Sequence, residues 1–337
     1  MSFDTDILKG LSRNVRPSED QLRDALTSIL AGDAQSEQIA ALLLGLEMIG
    51  LGAREVRIGT EVMRANMKPV EIDADIIDIV GTGGTGLHTL SISTATAIVC
   101  AAAGAKVAKH GNRAASSLTG TADTLSELGV NLDVTPHRTA DIIQSVGLGF
   151  LFAPNHHPAM RHVGPARKAL GIRTLFNMLG PMSNPAGAQR MLLGVCDDRW
   201  RRPMAEALRD LGAEHLWVVH GSDGLDEITT TGPTYVTEVK DGRIADFTIS
   251  PQSYGLELAT LGSLRGGHPS ENAASLTDLL DGNASDYRDI VILNAGAALM
   301  IAGLAGDVVS GMDMARSAID SFHARRILAE LVVETNR

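Results

Sequence analysis

The sequence predicts an α/β protein in which a small N-terminal helical domain precedes a larger α/β domain with a mostly parallel central sheet. Residues 1–70 repeat apolar residues at helical spacing and contain no strand pattern. After residue 70, short apolar strands alternate with helices, as in sheets covered on both faces. Only 3% of the 337 residues are aromatic and 35 are glycine, which favours tightly packed α/β layers over an all-β sandwich. We expect the two domains to cover residues 1–70 and 71–337, with a segment near 165–185 joining the first.

The helical domain is predicted from helix start signals and periodicity. Ser18 and Gln21 match a capping box at the start of the first long helix, whose apolar residues then recur at helical spacing. A second helix starts at Ser36, and a third covers residues 53–66. Three short helices cannot bury all of this apolar surface among themselves. We therefore expect the surplus to pack on the rest of the chain or on a second subunit.

The larger domain is predicted from alternating strand and helix patterns. The predicted strands cover residues 76–80, 106–108, 131–134, 149–153, 192–195 and 216–220. The predicted helices between them cover residues 94–103, 121–128, 139–146 and 203–211. Residues 234–249 are typical of a hairpin around Asp241-Gly242, and the chain is helical again from about residue 270. Ligands of such sheets bind beyond the C-terminal ends of the strands, so the loops at that edge form the candidate site.

Composition excludes several classes of protein. A formal net charge of −11 argues against nucleic-acid binding, which needs clustered Lys and Arg. No apolar run approaches the roughly 20 residues of a membrane helix. The first residues lack the basic and apolar regions of a signal peptide. Cys100 and Cys196 lie in apolar runs without metal-ligand spacing. We therefore expect a cytoplasmic protein that binds neither nucleic acid nor membranes.

The most informative segment is a glycine-rich loop that follows the first predicted strand. Residues 81–86 have the sequence GTGGTG and lead into a helix whose start is rich in hydroxyl side chains. Glycines let a backbone present successive N–H groups to a ligand, and a helix N-terminus adds unpaired N–H groups and partial positive charge. The loop matches neither the P-loop nor the dinucleotide-binding pattern well. It predicts a site for an anion, of which phosphate is the most common.

Two further loops follow predicted strands at the same edge of the sheet. Residues 109–117, KHGNRAASS, combine two cations with an amide and hydroxyls, which suit phosphate and polar substrate groups. Asp226 and Glu227 follow the strand at residues 216–220. An isolated Asp-Glu pair is ordinarily solvated surface, but beside an anion site it suits Mg²⁺, which binds carboxylates and bridges to phosphates. Asp223 is a weaker candidate of the same kind.

Several arginines and histidines elsewhere in the chain have both a functional and a structural interpretation. Arg167 or Arg173 is a candidate to pair with a carboxylate on a second substrate, although Arg173 equally suits ordinary surface. His156 and His157 have no acidic or Cys partner at metal-ligand spacing, so we interpret them as structural. The same interpretation is favoured for His110 when it is considered alone.

The chain resembles the anthranilate phosphoribosyltransferases of tryptophan biosynthesis over almost its whole length. The matching segments are DIVGTGG at 78–84, IST at 92–94, KHGNR at 109–113, RTLFN at 173–177, LGP at 179–181 and the pair Asp226-Glu227. The combination of the third, fourth and fifth segments is highly specific. The resemblance implies a fold of the nucleoside phosphorylase and phosphoribosyltransferase kind and a homodimer joined through the helical domain. It also implies transfer of the phosphoribosyl group of phosphoribosyl pyrophosphate (PRPP) to the amine of anthranilate, with release of pyrophosphate.

The resemblance also implies roles for individual residues. It implies that PRPP is held by Gly81, Gly84, Thr85, Thr89, Ser91, Ile92, Ser93, Thr94, Lys109, His110, Gly111, Asn112, Arg113, Ala114, Ala115, Ser116, Ser117 and Thr121. It implies that Gly81, Asn112 and Arg167 contact anthranilate, and that Ser93, Asp226 and Glu227 hold Mg²⁺. No residue is expected to act as a catalytic acid or base. Because the arylamine is already neutral near pH 7, positioning and electrostatic stabilisation should dominate.

The sequence departs from the family pattern at two positions, and it leaves two other protein classes as alternatives. Thr85 and Ser91 stand where the family usually has Asp and Asn, so we expect retained activity with altered affinity for metal or substrate. A pyrimidine nucleoside phosphorylase-like enzyme should carry a Lys-x-Ser-Thr-Gly-Gly loop, which the sequence lacks. A non-catalytic nucleic-acid-binding relative should be basic and should lose the carboxylate pair, whereas this chain is acidic and keeps it.

Overall fold

The computed structural model describes residues 3–114 and 118–337. The α-helices are α1 (Asp6–Leu11), α2 (Glu19–Ala31), α3 (Ser36–Ile49), α4 (Ala53–Ala65), α5 (Ile92–Ala102), α6 (Thr121–Glu127), α7 (Pro136–Val146), α8 (Ala153–His156), α9 (Gly164–Leu170), α10 (Leu175–Met182), α11 (Arg201–Asp210), α12 (Pro269–Leu280), α13 (Asp286–Ile301), α14 (Val308–Asp320) and α15 (His323–Thr335). Short 3₁₀ helices occupy Pro158–His162, Asp198–Trp200 and Pro251–Tyr254. In this part of the chain, no helix has the length and apolar character needed to span a membrane.

One sheet organises the larger part of the molecule. Its strands are β1 (Ile76–Gly81), β2 (Lys106–Gly111), β3 (Leu148–Phe152), β4 (Arg190–Gly194), β5 (His215–Gly221), β6 (Thr234–Lys240) and β7 (Arg243–Ile249). Within the described residues their order is β3-β2-β1-β4-β5-β6-β7. The first five run parallel, and the hairpin β6–β7 adds antiparallel strands at one edge. The predicted fold class, with N-terminal helices and a mostly parallel sheet, is confirmed.

Two details of the sheet differ from the prediction. Residues 131–134 form no strand, because Asn131 is hydrogen bonded to α15 and not to a neighbouring strand. Its backbone N–H donates to Thr335 Oγ1 at 3.2 Å, and its side-chain Nδ2 donates to the Thr335 carbonyl at 3.1 Å. Strand β2 also continues to Gly111, three residues beyond the predicted end. Lys109 and His110 therefore belong to a buried strand, and the loop proper starts after them.

The N-terminal helices pack on the sheet as well as on one another. The capping box of Ser18 and Gln21 is present at the start of α2. Leu26, Leu42 and Val56 belong to a buried cluster that continues into α9 and α10 and onto one face of the sheet. The rest of the chain therefore covers much of the apolar surface that three helices could not bury. We propose that the helical domain comprises the residues up to about 70 together with the segment near 165–185.

Hydrogen bonds join the chain segments that connect the helical part to the sheet. The backbone N–H of Lys68 donates to the His156 carbonyl at 2.8 Å, and His156 Nδ1 lies 2.9 Å from the Lys68 carbonyl. Val70 donates to the Pro185 carbonyl at 2.9 Å. His157 Nε2 lies 3.0 Å from the Ser183 carbonyl, and burial lowers the pKa of His157 to about 4. These contacts agree with the structural interpretation of both histidines.

The opposite face of the sheet is covered by α5 and α13. Both helices belong to the largest buried cluster, in which Ile98 of α5 and Val291 of α13 are fully buried. α13 packs against α5 and against strands β1, β4 and β5. It is therefore a central element beneath the strand ends that carry the candidate site.

Candidate active site

A cavity of about 890 Å³ lies between the C-terminal ends of the strands and the helical domain. Gly81 of β1 and Gly111 of β2 line one side, and Met63 of α4 and Phe176 of α10 line the other. The predicted site residues that line it are Gly81, Gly84, Thr85, Thr89, Ser91, Ile92, Ser93, Thr94, Lys109, His110, Gly111, Asn112, Arg113, Ala114, Thr121, Arg167, Asp226 and Glu227. The predicted residues Ala115, Ser116 and Ser117 lie outside the described residues. The volume falls in the usual range of small-molecule sites.

The glycine loop is held from both sides of the cavity. Gly83 and Gly84 have φ of 66° and 74°, a conformation that favours glycine. The Gly83 N–H donates to Asp226 Oδ2 at 2.7 Å. From the helical side, Arg173 Nη2 donates to the carbonyls of Gly83 at 3.0 Å and Gly84 at 2.7 Å. Arg173 is therefore engaged with the loop backbone.

Helix α5 starts at the cavity and supplies the predicted helix N-terminus. Ser91, the residue before the helix, shares a hydrogen bond of 2.7 Å between its hydroxyl and that of Thr124. The hydroxyl of Tyr287 donates to the Ser91 carbonyl at 3.0 Å. Burial and the Glu227 carboxylate raise the pKa of Tyr287, so this hydroxyl keeps its proton. The start of α5 is thus fixed. The Ile92 N–H donates to the Leu90 carbonyl at 2.8 Å and the Ser93 N–H interacts with the Glu227 carboxylate, so the Thr94 N–H is the donor of this first turn that remains for an anion.

Lys109 is a buried cation beneath this helix start. Its side chain is 2% exposed, and its Nζ donates to the Ile79 carbonyl at 2.6 Å and to Ser93 Oγ at 3.1 Å. Burial lowers the pKa of Lys109, while the carboxylates of Asp78, Glu227 and Asp226 oppose that shift. Lys109 therefore supplies positive charge close to the carboxylate pair, rather than at the cavity mouth as a loop residue would.

The carboxylates of Asp226 and Glu227 are both buried. Burial raises the pKa of Asp226 despite its hydrogen bond from Gly83. Burial and the charge of Asp226 raise the pKa of Glu227 to about 8. Two adjacent buried carboxylates repel each other, and this cost would be relieved by a cation. With the hydroxyl of Ser93, they form an all-oxygen donor set that fits Mg²⁺.

The protein alone supplies only a partial set of metal ligands. Within the described residues, no group of three or more His, Cys, Asp or Glu side chains is arranged to hold a metal ion. A site with two carboxylates suits Mg²⁺, which commonly keeps water ligands and bridges to substrate phosphates. Asp223 is used differently, because its Oδ2 accepts hydrogen bonds of 2.6 Å from both Thr229 and Thr231. It stabilises the loop that carries the carboxylate pair.

The strand end at β2 and the loop after it form a second polar region. Asp78 of β1 accepts hydrogen bonds from the His110 N–H at 3.1 Å and from Asn184 at 2.7 Å, and burial raises the pKa of Asp78 to about 6. Beyond the strand, Arg113 Nη1 donates to Asp123 Oδ1 at 2.7 Å. Asn112 accepts from the Arg113 N–H at 2.8 Å through its Oδ1. Asn112 also lines the cavity.

Arg167 is placed differently from the other arginines of the site. It lines the cavity from α9, and burial lowers the pKa of its guanidinium. Within the described residues, its guanidinium forms no hydrogen bond or ion pair. A partly buried and unpaired guanidinium favours an anionic ligand, because pairing with a carboxylate would offset the cost of its desolvation.

Several residues at the site carry no strong local sequence signal. Met63, Met160 and Pro181 give the helical wall of the cavity an apolar surface. Gly194 at the end of β4 lets the backbone of Asp226 approach: a Cβ at this position would lie 1.7 Å from the Asp226 carbonyl oxygen. An isolated glycine in an apolar strand is the signal that could have identified Gly194.

Comparison with known proteins gives a consistent result along the chain. The helical bundle domain of the glycosyl transferase family matches residues 5–67, and the a/b domain of that family matches residues 73–325. Anthranilate phosphoribosyltransferase from Parvibaculum lavamentivorans is 53% identical over 316 residues, which cover 94% of this chain and 93% of that protein.

Solved structures support the same assignment. Anthranilate phosphoribosyltransferase from Thermus thermophilus superposes with a TM-score of 0.93 at 40% identity, covering 98% of this chain and 100% of that one. The enzyme from Saccharomyces cerevisiae, in complex with PRPP and Mg, superposes with a TM-score of 0.90 at 28% identity, covering 98% and 97%. The chain therefore belongs to the anthranilate phosphoribosyltransferases, a family of glycosyl transferases with a helical bundle domain and an α/β domain.

Proposed function

We propose that this chain transfers the phosphoribosyl group of PRPP to the amine of anthranilate, giving N-(5-phosphoribosyl)anthranilate and pyrophosphate in L-tryptophan biosynthesis. One observation carries the proposal: a single cavity combines a glycine loop and helix start for phosphates, a buried carboxylate pair and an unpaired guanidinium. The family membership of the chain supports the same reaction. The polar strand ends suit PRPP, and the apolar helical wall with Arg167 suits an aromatic carboxylate.

The proposed reaction needs positioning more than proton transfer. The neutral arylamine attacks the anomeric carbon of the ribose, a C–N bond forms, and the C–O bond to pyrophosphate breaks. The amine proton then leaves to solvent. Arg167 and Asn112 orient anthranilate, while the N–H groups of the glycine loop and of α5 stabilise the charge on the leaving group. Asp226, Glu227 and Ser93 would hold Mg²⁺, which supplies charge neutralisation for pyrophosphate when bound.

A fluorescence assay tests the proposed reaction directly. The purified chain should consume anthranilate when PRPP and Mg²⁺ are both present, and the loss of anthranilate fluorescence should need each of them. Omission of PRPP is the control for non-enzymatic loss. Folded protein that consumes no anthranilate under these conditions would contradict the proposal.

Arg167→Ala should raise the KM for anthranilate by about tenfold to a hundredfold, because hydrogen bonds to charged groups contribute about 1.5–3 kcal/mol. The KM for PRPP should change much less, since the phosphates are held on the opposite wall. Steady-state kinetics with each substrate varied in turn measures both constants. Lys168→Ala, at an exposed neighbouring cation, is the matched control. Equal increases in the two KM values would count against a carboxylate contact.

We also propose a homodimer joined through the helical domain. Helix α3 leaves Leu44 42% exposed and Met48 78% exposed, one turn apart on the same face. Burial of this apolar pair against a second copy would stabilise the association. Light scattering should therefore give twice the mass of one chain, and Leu44→Glu combined with Met48→Glu should give the monomer mass. A monomeric unaltered chain would overturn this proposal.

We propose that the enzyme acts in the cytoplasm. Both cysteines, Cys100 and Cys196, are free thiols, as is usual in reducing compartments. An acidic surface charge and an active site sized for small molecules support small-molecule substrates rather than nucleic acid.

A further inference from the structure

We propose that Tyr287 and Asn294 of α13 are positioning residues that together fix the separation between the start of α5 and the turn carrying Asp226 and Glu227. The inference rests on the proposed function, because the two segments hold the proposed ligands of Mg²⁺. Neither residue lines the cavity, so each would act through the backbone it contacts.

Tyr287 fixes the start of α5. The residue is 3% exposed, and its hydroxyl donates to the Ser91 carbonyl at 3.0 Å. The same carbonyl accepts the first helical hydrogen bond, from the Ala95 N–H at 3.1 Å. Tyr287 is therefore bonded to the atom at which the helix begins. Ser93 follows two residues later, so a shift of this carbonyl would carry the Ser93 hydroxyl with it.

Asn294 fixes the carboxylate turn. Its side chain is fully buried, and its Oδ1 accepts from the Ile228 N–H at 3.0 Å. Its Nδ2 donates to the Ile228 carbonyl at 2.8 Å and to the Ile290 carbonyl at 2.8 Å. Both backbone groups of Ile228, the residue directly after Glu227, are thus held by one amide. The third bond, within α13, fixes the orientation of that amide.

The contacts of Tyr287 and Asn294 are made from the same helix, α13. Residues seven positions apart lie on the same face of a helix, about 10.5 Å apart along its axis. Helix α13 is buried over most of its length and packs on α5 and on strands β1, β4 and β5. The segments that it joins are far apart in the chain, at Ser91 and Ile228. One helix face therefore sets their spacing, and ligand sets need their members held within about 0.5 Å.

Packing alone does not explain polar groups at these two positions. A buried amide or hydroxyl is costly unless it is hydrogen bonded, and the rest of the buried face of α13 is apolar. Leu or Phe would fill the same volumes without that requirement. The two polar side chains instead bond to the backbone of the segments carrying Ser93, Asp226 and Glu227, which indicates a positioning role.

Calorimetric titration of PRPP into the chain, without anthranilate and over a series of Mg²⁺ concentrations, tests the inference. Tyr287→Phe and Asn294→Leu should each raise the Mg²⁺ concentration needed for half-maximal PRPP binding by about tenfold, as when groups that orient metal ligands are removed. The KM for anthranilate should stay close to that of the unaltered chain. Leu299→Ala, at a fully buried residue of the same helix, should lower the Tm and leave the Mg²⁺ requirement unchanged.

The outcomes separate this inference from the proposed function. If the unaltered chain binds PRPP and both variants keep its Mg²⁺ requirement while losing only thermal stability, the inference is wrong and the proposed function stands. If the unaltered chain binds no PRPP at any Mg²⁺ concentration, both are wrong. Should Asn294→Leu fail to fold, Tyr287→Phe decides the question, because it removes a single oxygen atom.

Discussion

Replacement of Asp226 by Asn together with Glu227 by Gln is expected to lower turnover by about a thousandfold or more, because electrostatic stabilisation of the leaving group is lost. Thermal unfolding should change little, because relief of the repulsion between the two carboxylates offsets the loss of the two charges near buried Lys109. Burial raises the pKa of both carboxyls, and the charge of Asp226 raises that of Glu227 further, to about 8. Neutral amides remove this repulsion and keep an oxygen acceptor for the Gly83 N–H. Anthranilate fluorescence and thermal unfolding together measure the two effects.

The pH dependence of stability gives a second test of the carboxylate pair, made with the single variant Glu227→Gln. In metal-free protein, Glu227 holds its proton up to about pH 8 when folded, whereas its ordinary pKa is 4.5. The unfolded chain therefore releases a proton that the folded state keeps, and the free energy of unfolding should fall between these values as the pH rises. Glu227→Gln should remove this contribution.

Asp223→Asn is the matched control for the carboxylate pair. It alters a carboxylate of the same loop whose partners are Thr229 and Thr231, so it should lower stability more than turnover. Undiminished turnover in the double variant at Asp226 and Glu227 would remove both residues from the site of Mg²⁺.

Gly194→Ala should lower kcat/KM by about a hundredfold, the effect expected when a reacting constellation is displaced by about 1 Å. The added Cβ would lie 1.7 Å from the Asp226 carbonyl oxygen and 2.3 Å from its carbonyl carbon. Because both are backbone atoms, the turn carrying Asp226 must move away from β4. The same overpacking should destabilise the protein by about 1–3 kcal/mol. Steady-state kinetics and denaturant unfolding measure the two losses.

Gly306→Ala is the control for this substitution. A Cβ at Gly306 would meet nothing within 4 Å, so turnover and stability should both be retained. If Gly194→Ala kept the turnover of the unaltered chain, the position of the Asp226 backbone would not matter to the reaction.

Local patterns in the sequence were sufficient to predict the fold class and the edge of the sheet that carries the site. Short apolar runs, separated by segments with helical periodicity, predicted β1, β4, β5 and the hairpin β6–β7. Such predictions succeed because strand and helix periodicity can be recognised within a few neighbouring residues. Polar loops directly after apolar strands then indicated where ligands bind. The described residues of the predicted site line one cavity, apart from the weaker candidate Asp223.

The remaining errors and omissions come from contacts between distant parts of the chain. Residues 131–134 have strand-like composition, yet Asn131 donates to Thr335, 204 residues away, and the Leu132 carbonyl accepts from the Asn155 side chain. Tyr287 and Asn294 contact partners 196 and 66 residues away, and nothing in the surrounding helix sequence identifies those partners. Periodicity reports which face of a helix is buried, but not what a polar group on that face will bond.

The two departures from the family pattern show a similar limit. The Ser91 hydroxyl is bonded to Thr124, and Thr85 Oγ1 accepts from the Leu87 N–H at 3.2 Å. Both side chains are therefore used within the protein in this structure. The sequence identified the substitutions, but the internal partners of the shorter side chains depend on the folded loop.

The shared core of the N-terminal helices has a consequence for biosynthesis. The buried cluster that contains Leu26, Leu42 and Val56 also contains Leu179 of α10 and, on the sheet, Leu193 and Val218. These partners are translated much later, so the first helices emerge from the ribosome with an apolar face that has no cover. Domains usually fold in order during synthesis, but here the N-terminal helices must wait for the sheet. The N-terminal helices are thus synthesised early but complete their core late. Chaperone binding in the interval between these events would protect them.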